Sequence, residues 1–178
     1  MKKYILIHTA LFAEAKSIIE HFKLQCLQTK PYRIYTKEDI VVIVSGMGKE
    51  KTSLHVKDVL KKYDIKKAIN VGIAGCKDKD IEIGSLFCTN HRLDFINYAN
   101  LTTVDKPLND KRNLQTTLVD MEAESFISTC KEFLDIKDIY ILKVVSDHLS
   151  TTIPKKEFVW KIIEKNLKSI SKVVTLQN

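Results

Sequence analysis

The chain carries little punctuation. Only three prolines and five glycines occur in 178 residues, and no Gly-, Pro- or Ser-rich stretch separates one part from another. A linker or low-complexity segment is thereby excluded, and residues 1–178 are expected to form a single domain large enough for a real core. No apolar run approaches the roughly 18 residues that a membrane span needs. The opening MKKYILIHTALFAEAKS is broken by Glu14 and Lys16, so it reads as a strand followed by a helix rather than a signal peptide, and a cytoplasmic location is expected. The four cysteines form no C-x-x-C pair and have no histidine at zinc-ligand spacing, which argues for reduced, mostly buried thiols and against a metal site. Lysine and arginine outnumber the acids 29 to 22, a net charge of +7. The lysines are scattered, however, with no basic cluster interleaved with aromatics, so a nucleic-acid partner is not expected.

What is present is alternation. Residues 4–8 (YILIH) form a short apolar run suited to a buried strand. Residues 11–22 then switch to helical spacing, with Leu11, Ala15, Ile18, Ile19 and Phe22 on one face. A strand pair is expected over 32–36 and 40–45, joined by Lys37-Glu38-Asp39. A helix follows over 50–63, then strands over 67–71, 84–90 and, continuing the sheet, 92–97. The remaining elements are a helix over 121–134 with Phe126, Ile127, Cys130 and Phe133 inward, a strongly β-like run over 139–145, and a long closing helix over 158–173. Strands alternating with helices predict an α/β fold, a central mixed sheet flanked by helices. In such folds ligands collect at the C-terminal ends of the strands.

Chemistry-bearing residues sit at those ends. All five glycines fall between 46 and 84: SGMGKEKT after one strand, NVGIAGC after another, and Gly84. Neither glycine pair has the spacing of a P-loop or a dinucleotide fingerprint, and tight turns explain them equally well. Further on, LVDMEAESF (118–126) places Asp120 and Glu122 around Met121 at a strand-to-helix junction, and VVSDH (144–148) ends a strand on Asp147. Each carboxylate also has a plain structural reading: Asp147 as the cap of the next turn, Glu122 as a first-turn glutamate favoured by the helix dipole, and Glu14 in TALFAEAKS as a solvent-facing helix residue.

The order GMGK–helix, NVGIAGC, VDMEAE–helix, VSDH resembles the nucleoside phosphorylase superfamily, and within it the 5′-methylthioadenosine/S-adenosylhomocysteine nucleosidases and their short phosphorylase-like relatives. The resemblance implies cleavage of the N-glycosidic bond of a purine nucleoside. By that resemblance Asp147 delivers a proton to N7 of the leaving base, Glu122 accepts hydrogen bonds from the ribose hydroxyls, Met121 lies against the sugar, and Glu14 activates the attacking water. Gly75 and Ile73 stand in the turn that borders the nucleophile, and Lys143 stands where the nucleosidases carry an arginine.

The same comparison sets hydrolysis against phosphorolysis. In the hexameric purine phosphorylases an arginine precedes a glycine-serine turn that receives phosphate; here Asn70 and Ile73 take those places, so water is favoured over inorganic phosphate as co-substrate. Backbone N–H groups of the turns can still hold an anion, and Lys49 or Lys143 can supply charge. No metal or organic cofactor is implied, and a homodimer is expected. Only 36 residues separate Gly84 from Met121, fewer than in the nucleosidases, and their base-stacking aromatic is missing. That shortened middle includes LTTVDKPLNDKR (101–112). Phe95 and Tyr98 are the substitutes within it. The alternatives to a nucleosidase are a purine nucleoside phosphorylase and a degenerate module that binds a nucleoside without cleaving it.

Overall fold

The computed structural model describes residues 2–108, 112 and 114–177. Four parallel strands, buried along nearly their whole length, form its centre: β1 (Tyr4–Thr9), β4 (Ile40–Val44), β5 (Ile65–Cys76) and β10 (Ile139–Asp147). They lie side by side in the order β4-β1-β5-β10, all parallel. The hairpin strands β2 (Gln25–Gln28) and β3 (Arg33–Lys37) extend the sheet beyond β4 in antiparallel fashion. On the other side β6 (Leu86–Cys88) pairs antiparallel with β10 and parallel with β7 (Asn97–Tyr98). A short branch, β8 (Leu101–Thr103) on β9 (Leu118–Asp120), attaches to the end of β5. The sheet is mixed, with five α-helices among the described residues over its two faces.

Period-2 alternation decides which helix covers which face. Ile5, Ile7, Val42, Ile69, Val71, Leu142 and Val144 point to one side, where α1 (Phe12–His21), α4 (Lys156–Lys165) and α5 (Leu167–Thr175) bury Ile18, Ile163 and Val173 against them. Leu6, Val41, Ile43, Ile139 and Ile141 point to the other, under α2 (Lys49–Lys62) and α3 (Ala123–Cys130), whose Val56, Val59 and Phe126 are wholly buried. Each such aliphatic side chain contributes about 1.5–3 kcal/mol by leaving water.

Several boundaries differ from the sequence reading. The expected helix over 121–134 runs only from Ala123 to Cys130, so Met121 and Glu122 precede it and Phe133 is exposed rather than inward. The closing helix over 158–173 is two helices broken at Asn166, whose amide donates to the carbonyls of Gly84 and Ile162, both at 2.8 Å. That side chain takes up a helix-end carbonyl and pins the break to the sheet. The strand over 84–90 shrinks to three residues, and 92–97 makes an isolated Leu93–Ile96 bridge before β7 begins at Asn97. NVGIAGC is not a turn after a strand: it is the second half of the 12-residue β5. In the stretch LTTVDKPLNDKR, residues 109–111 lie outside the described residues. No helix among the described residues is long and apolar enough to cross a membrane.

Candidate active site

The extension of β5 explains its glycines. In the β5–β10 register, Gly72 stands opposite Lys143 and Gly75 opposite Asp147, with one irregular step in β10 between Val145 and Asp147. A Cβ at Gly72 would lie 3.1 Å from Lys143 Nζ and 3.3 Å from Glu14 Oε1; one at Gly75 would lie 3.3 Å from Asp147 Oδ1. Each glycine is thus the gap in the strand into which a charged side chain fits.

Glu14 enters from the first turn of α1. Its Oε2 accepts the backbone N–H of Ala10 (3.0 Å) and Leu11 (2.8 Å), and its Oε1 that of Ile73 (3.1 Å). The residue is 3% exposed, which removes the solvent-facing reading. Burial, and then the negative charge of Glu122, push its carboxyl up to about 7, against the backbone donors and Lys143. Oε2 is saturated by two donors, whereas Oε1 keeps one lone pair for a further donor.

Glu122 occupies the N-cap position of α3 and is 8% exposed. Its Oε1 accepts the N–H of Gly48, at 3.0 Å, from the loop before α2. Burial raises its carboxyl, while Lys143 and the Gly48 N–H oppose the rise. Asp147 closes β10 half-buried. Ser146 Oγ donates to its Oδ2 (2.6 Å) and the N–H of Ser150 to its Oδ1 (2.7 Å), so the turn-capping geometry is present as well.

Lys143 lies behind these groups. It is 1% exposed, does not line the cavity, and its ammonium sits 2.7 Å from Asp120 Oδ2. Burial pulls its pKa down, but Asp120, Glu122 and Glu14 together hold it above the ordinary lysine value. Its expected contact with substrate is therefore corrected to a supporting position: it neutralises part of a cluster of three buried acids. Asp120 is the residue the sequence reading left without a role. It anchors Lys143, accepts Thr103 Oγ1 (2.7 Å), and caps α3 through the N–H of Ala123 (2.8 Å). Its signal was there, two residues before Glu122, but nothing in the sequence shows that Lys143 is its partner.

A second buried group also went unread. His8 Nδ1 accepts from Asn70 Nδ2 at 2.7 Å, and His8 Nε2 lies 2.7 Å from Ser45 Oγ. With Nδ1 accepting, Nε2–H donates to Ser45. Burial, then Lys143, lower the histidine to about 3, so it stays neutral. Asn70, the residue in the arginine's place, is spent on this network.

Glu14, Ile73, Gly75, Met121, Glu122 and Asp147 line one cavity of about 140 Å³, closed by Leu149–Pro154 on one side and Val104, Pro107 and Leu108 on another. No aromatic side chain lines it among the described residues. Phe95 and Tyr98 are elsewhere, at the β6–β7 edge, Phe95 under the Lys172 ammonium and Tyr98 under the Arg92 guanidinium. The expectation that they replace the stacking aromatic is corrected, because β7 lies at the far edge of the sheet. Three N–H groups of these turns are taken up: that of Ile73 by Glu14, that of Gly48 by Glu122 and that of Gly46 by the carbonyl of Ala10. Lys49 is held by Asp105 (3.2 Å) and Glu124 (3.1 Å).

A twisted mixed sheet with carboxylates gathered at the ends of its parallel strands defines the class. The family model of the phosphorylase superfamily matches residues 4–111, more than half of the chain, and the chain belongs to that superfamily. The match takes in Glu14 and the glycines of β5 and stops before Glu122 and Asp147. Among solved structures, the 5′-methylthioadenosine/S-adenosylhomocysteine nucleosidase of Helicobacter pylori, bound to butyl-thio-DADMe-Immucillin-A, superposes with a TM-score of 0.82 at 16% identity, over 98% of each chain. Native futalosine hydrolase of the same species gives 0.80 at 16% identity, over 97% of each chain. The Campylobacter jejuni nucleosidase gives 0.77 at 18%, over 97% of this chain and 98% of that one. At these identities the likeness establishes the shared fold. No curated protein matches the chain.

Proposed function

We infer that the protein is an N-glycosyl hydrolase that splits a purine nucleoside into base and sugar. One observation carries the reading: Glu14, Glu122 and Asp147, from three separate strand ends, line a single cavity, and the most buried of them is tuned to about 7. The similar structures named above are nucleosidases and a hydrolase, and they support the same reaction class.

The chemistry follows from the residues. Glu122, beside its bond from Gly48, keeps acceptor capacity on its second oxygen for ribose hydroxyls, and its charge favours an oxocarbenium-like sugar. Asp147 supplies the proton that the departing base takes up at N7 as the electron pair of the C1′–N bond moves onto the ring. Glu14, through the unfilled lone pair of Oε1, takes the proton from the water that bonds to C1′. A carboxyl near 7 is matched to that task, being available as a base at neutral pH and strong enough to hold the proton it receives. Acid and base on opposite sides of the broken bond are the division of labour of an inverting glycosidase. The reaction calls for no resident cofactor.

Water is favoured over phosphate because the acid cluster repels an anion, Lys49 and Lys143 are paired with carboxylates, and the N–H groups of Ile73 and Gly48 donate to carboxylates. The test is a panel of purine nucleosides assayed for released base with and without phosphate. Free ribose is the expected product; ribose 1-phosphate would make the protein a phosphorylase, and binding without base release would make it the non-catalytic module. We further infer a homodimer, supported by the exposed apolar side chains Phe12, Met47, Leu54 and Ile153, and a reducing, cytoplasmic setting, supported by the free thiols of Cys26, Cys76, Cys88 and Cys130.

A further inference from the structure

His8 interrupts an apolar face. It stands on β1 two residues after Leu6, on the side of the sheet that α2 and α3 cover, and is wholly buried. An imidazole is costly there unless both nitrogens are bonded, and both are, to Asn70 and to Ser45. Its ring also stacks on Phe126 of α3, with centroids 5.2 Å apart and planes 29° from parallel. An aliphatic side chain would fill the same place without a bond to make. The histidine adds a directed donor, Nε2–H, aimed at Ser45.

Ser45 opens the loop between β4 and α2, and all of its polar groups are held. Its Oγ accepts from His8 and donates to the Gly46 carbonyl at 2.9 Å. Its carbonyl accepts from Nδ1 of His55 at 2.9 Å, and its N–H donates to the carbonyl of Thr9 at 3.0 Å. The turn that follows is intrinsically free, with Gly46 and Gly48 at φ of 90° and 95°, so its course is set from outside. From it leaves the Gly48 N–H that meets Glu122 at 3.0 Å.

The other end of that bond reaches the same ring. The N–H of Phe126 donates to the carbonyl of Glu122 at 2.9 Å, in the first turn of α3. One imidazole therefore touches both the loop that carries the donor and the helix turn that carries the acceptor. This inference rests on the reading of Glu122 as the carboxylate that meets the ribose. We propose that His8 is a positioning residue for that carboxylate: through Ser45 it sets the Gly46–Gly48 turn, through Phe126 the start of α3, and so fixes Glu122 where the sugar hydroxyls arrive. Asn70 completes the device, because its donation to Nδ1 leaves the ring's hydrogen on Nε2, where Ser45 needs it. A buried hydrogen-bonded chain of this kind holds a single arrangement.

The readout is the ratio of kcat/KM for adenosine to that for 3′-deoxyadenosine, since a displaced Glu122 loses its advantage only on the nucleoside that carries the hydroxyl. His8→Leu and Ser45→Ala should each lower that ratio roughly 10-fold. His8→Gln, whose amide presents an N–H near the place of Nε2, should restore most of it. Melting temperatures measured in parallel separate packing from positioning. A lowered melting temperature with an unchanged ratio, or a lowered ratio that His8→Gln does not restore, overturns the proposal and leaves the hydrolase reading intact. Should His8→Leu fail to fold, Ser45→Ala decides, because it removes the same bond from the other side. A wild-type ratio near one means that Glu122 does not engage the 3′ hydroxyl, and the proposal falls with that reading. If neither nucleoside is cleaved, the hydrolase reading fails, and the ratio of calorimetric Kd values for the same pair decides in the same way.

Discussion

Glu14 and Asp147 are both carboxylates at the end of a parallel strand, but they are held differently. Glu14 is buried, with three backbone N–H groups fixing both of its oxygens. Asp147 is half-buried, with one hydroxyl and one loop N–H, and the loop that follows carries Leu149 at a φ of 61°. Backbone donors cannot rotate away, whereas a serine hydroxyl and a surface loop can. The Glu14 side of the cavity is therefore preorganised, and the Asp147 side is adjustable.

The sharpest way to break this contrast is to move each carboxylate by one methylene. Glu14→Asp leaves three donors without their acceptor and should lower kcat roughly 10³-fold, while Asp147→Glu, in the looser setting, should cost about 10-fold or less. Equal losses in base-release assays would remove the distinction. Lys143→Met leaves Asp120 buried without its cation, and should destabilise the fold by about 3–5 kcal/mol in urea titration. Gly72→Ala crowds Lys143 and Glu14 and should lower kcat roughly 10-fold. Gly75→Ala, about as tight, meets the side chains of Val119, Asp147 and Leu149, of which the last two are only half-buried, and should cost less.

Two pH effects are smaller. With Glu14 at about 7 and in the proposed role of base, kcat/KM should rise with pH through about 7 and then level. In the residual activity of Glu122→Gln that limb should move to lower pH, since the second cause of the raised value is gone. The last prediction concerns stability. Glu14, raised when folded, keeps its proton in the native state and loses it in the unfolded chain between about 4.5 and 7, so its contribution falls as pH rises through that window. His8, lowered to about 3, does the reverse below 6.5: the unfolded chain takes the proton, and stability is lost as pH falls. Each slope is about 1.4 kcal/mol per pH unit, and they oppose one another between 4.5 and 6.5. Removing His8 as His8→Asn should therefore make stability fall more steeply with rising pH across that window than in wild type, as read from urea titrations. An unchanged slope would mean that His8 is not held neutral.

Much of the architecture could be read from alternation alone. YILIH, IVVIV and IYILKVV are short, nearly continuous apolar runs set between amphipathic stretches, and each forms a parallel strand where expected. What escaped was weakly patterned. β2 is QCLQ on an exposed edge, β8 and β9 are three residues each, and neither length nor polarity distinguishes such pieces from loop. The carboxylates were visible because they follow strands. Their partners were not, because Lys143–Asp120, Gly48–Glu122 and Ile73–Glu14 join residues from 23 to 74 positions apart through sheet register and loop closure. The glycines of NVGIAGC misled for a related reason. A turn and a close side-chain approach both demand glycine, and only the register of β10 shows which demand applies.

The Gly48–Glu122 bond gives the protein an internal reporter. The amide proton of Gly48 points at one oxygen of the carboxylate that would meet the sugar, so its resonance in a ¹⁵N-correlated NMR spectrum follows the charge and occupancy of that carboxylate. Glycine amides lie in a thinly populated part of such a spectrum, and this chain has five of them. Titrating a non-cleavable nucleoside analogue against the ¹⁵N-labelled protein and watching that one peak would measure sugar engagement without turnover or variant.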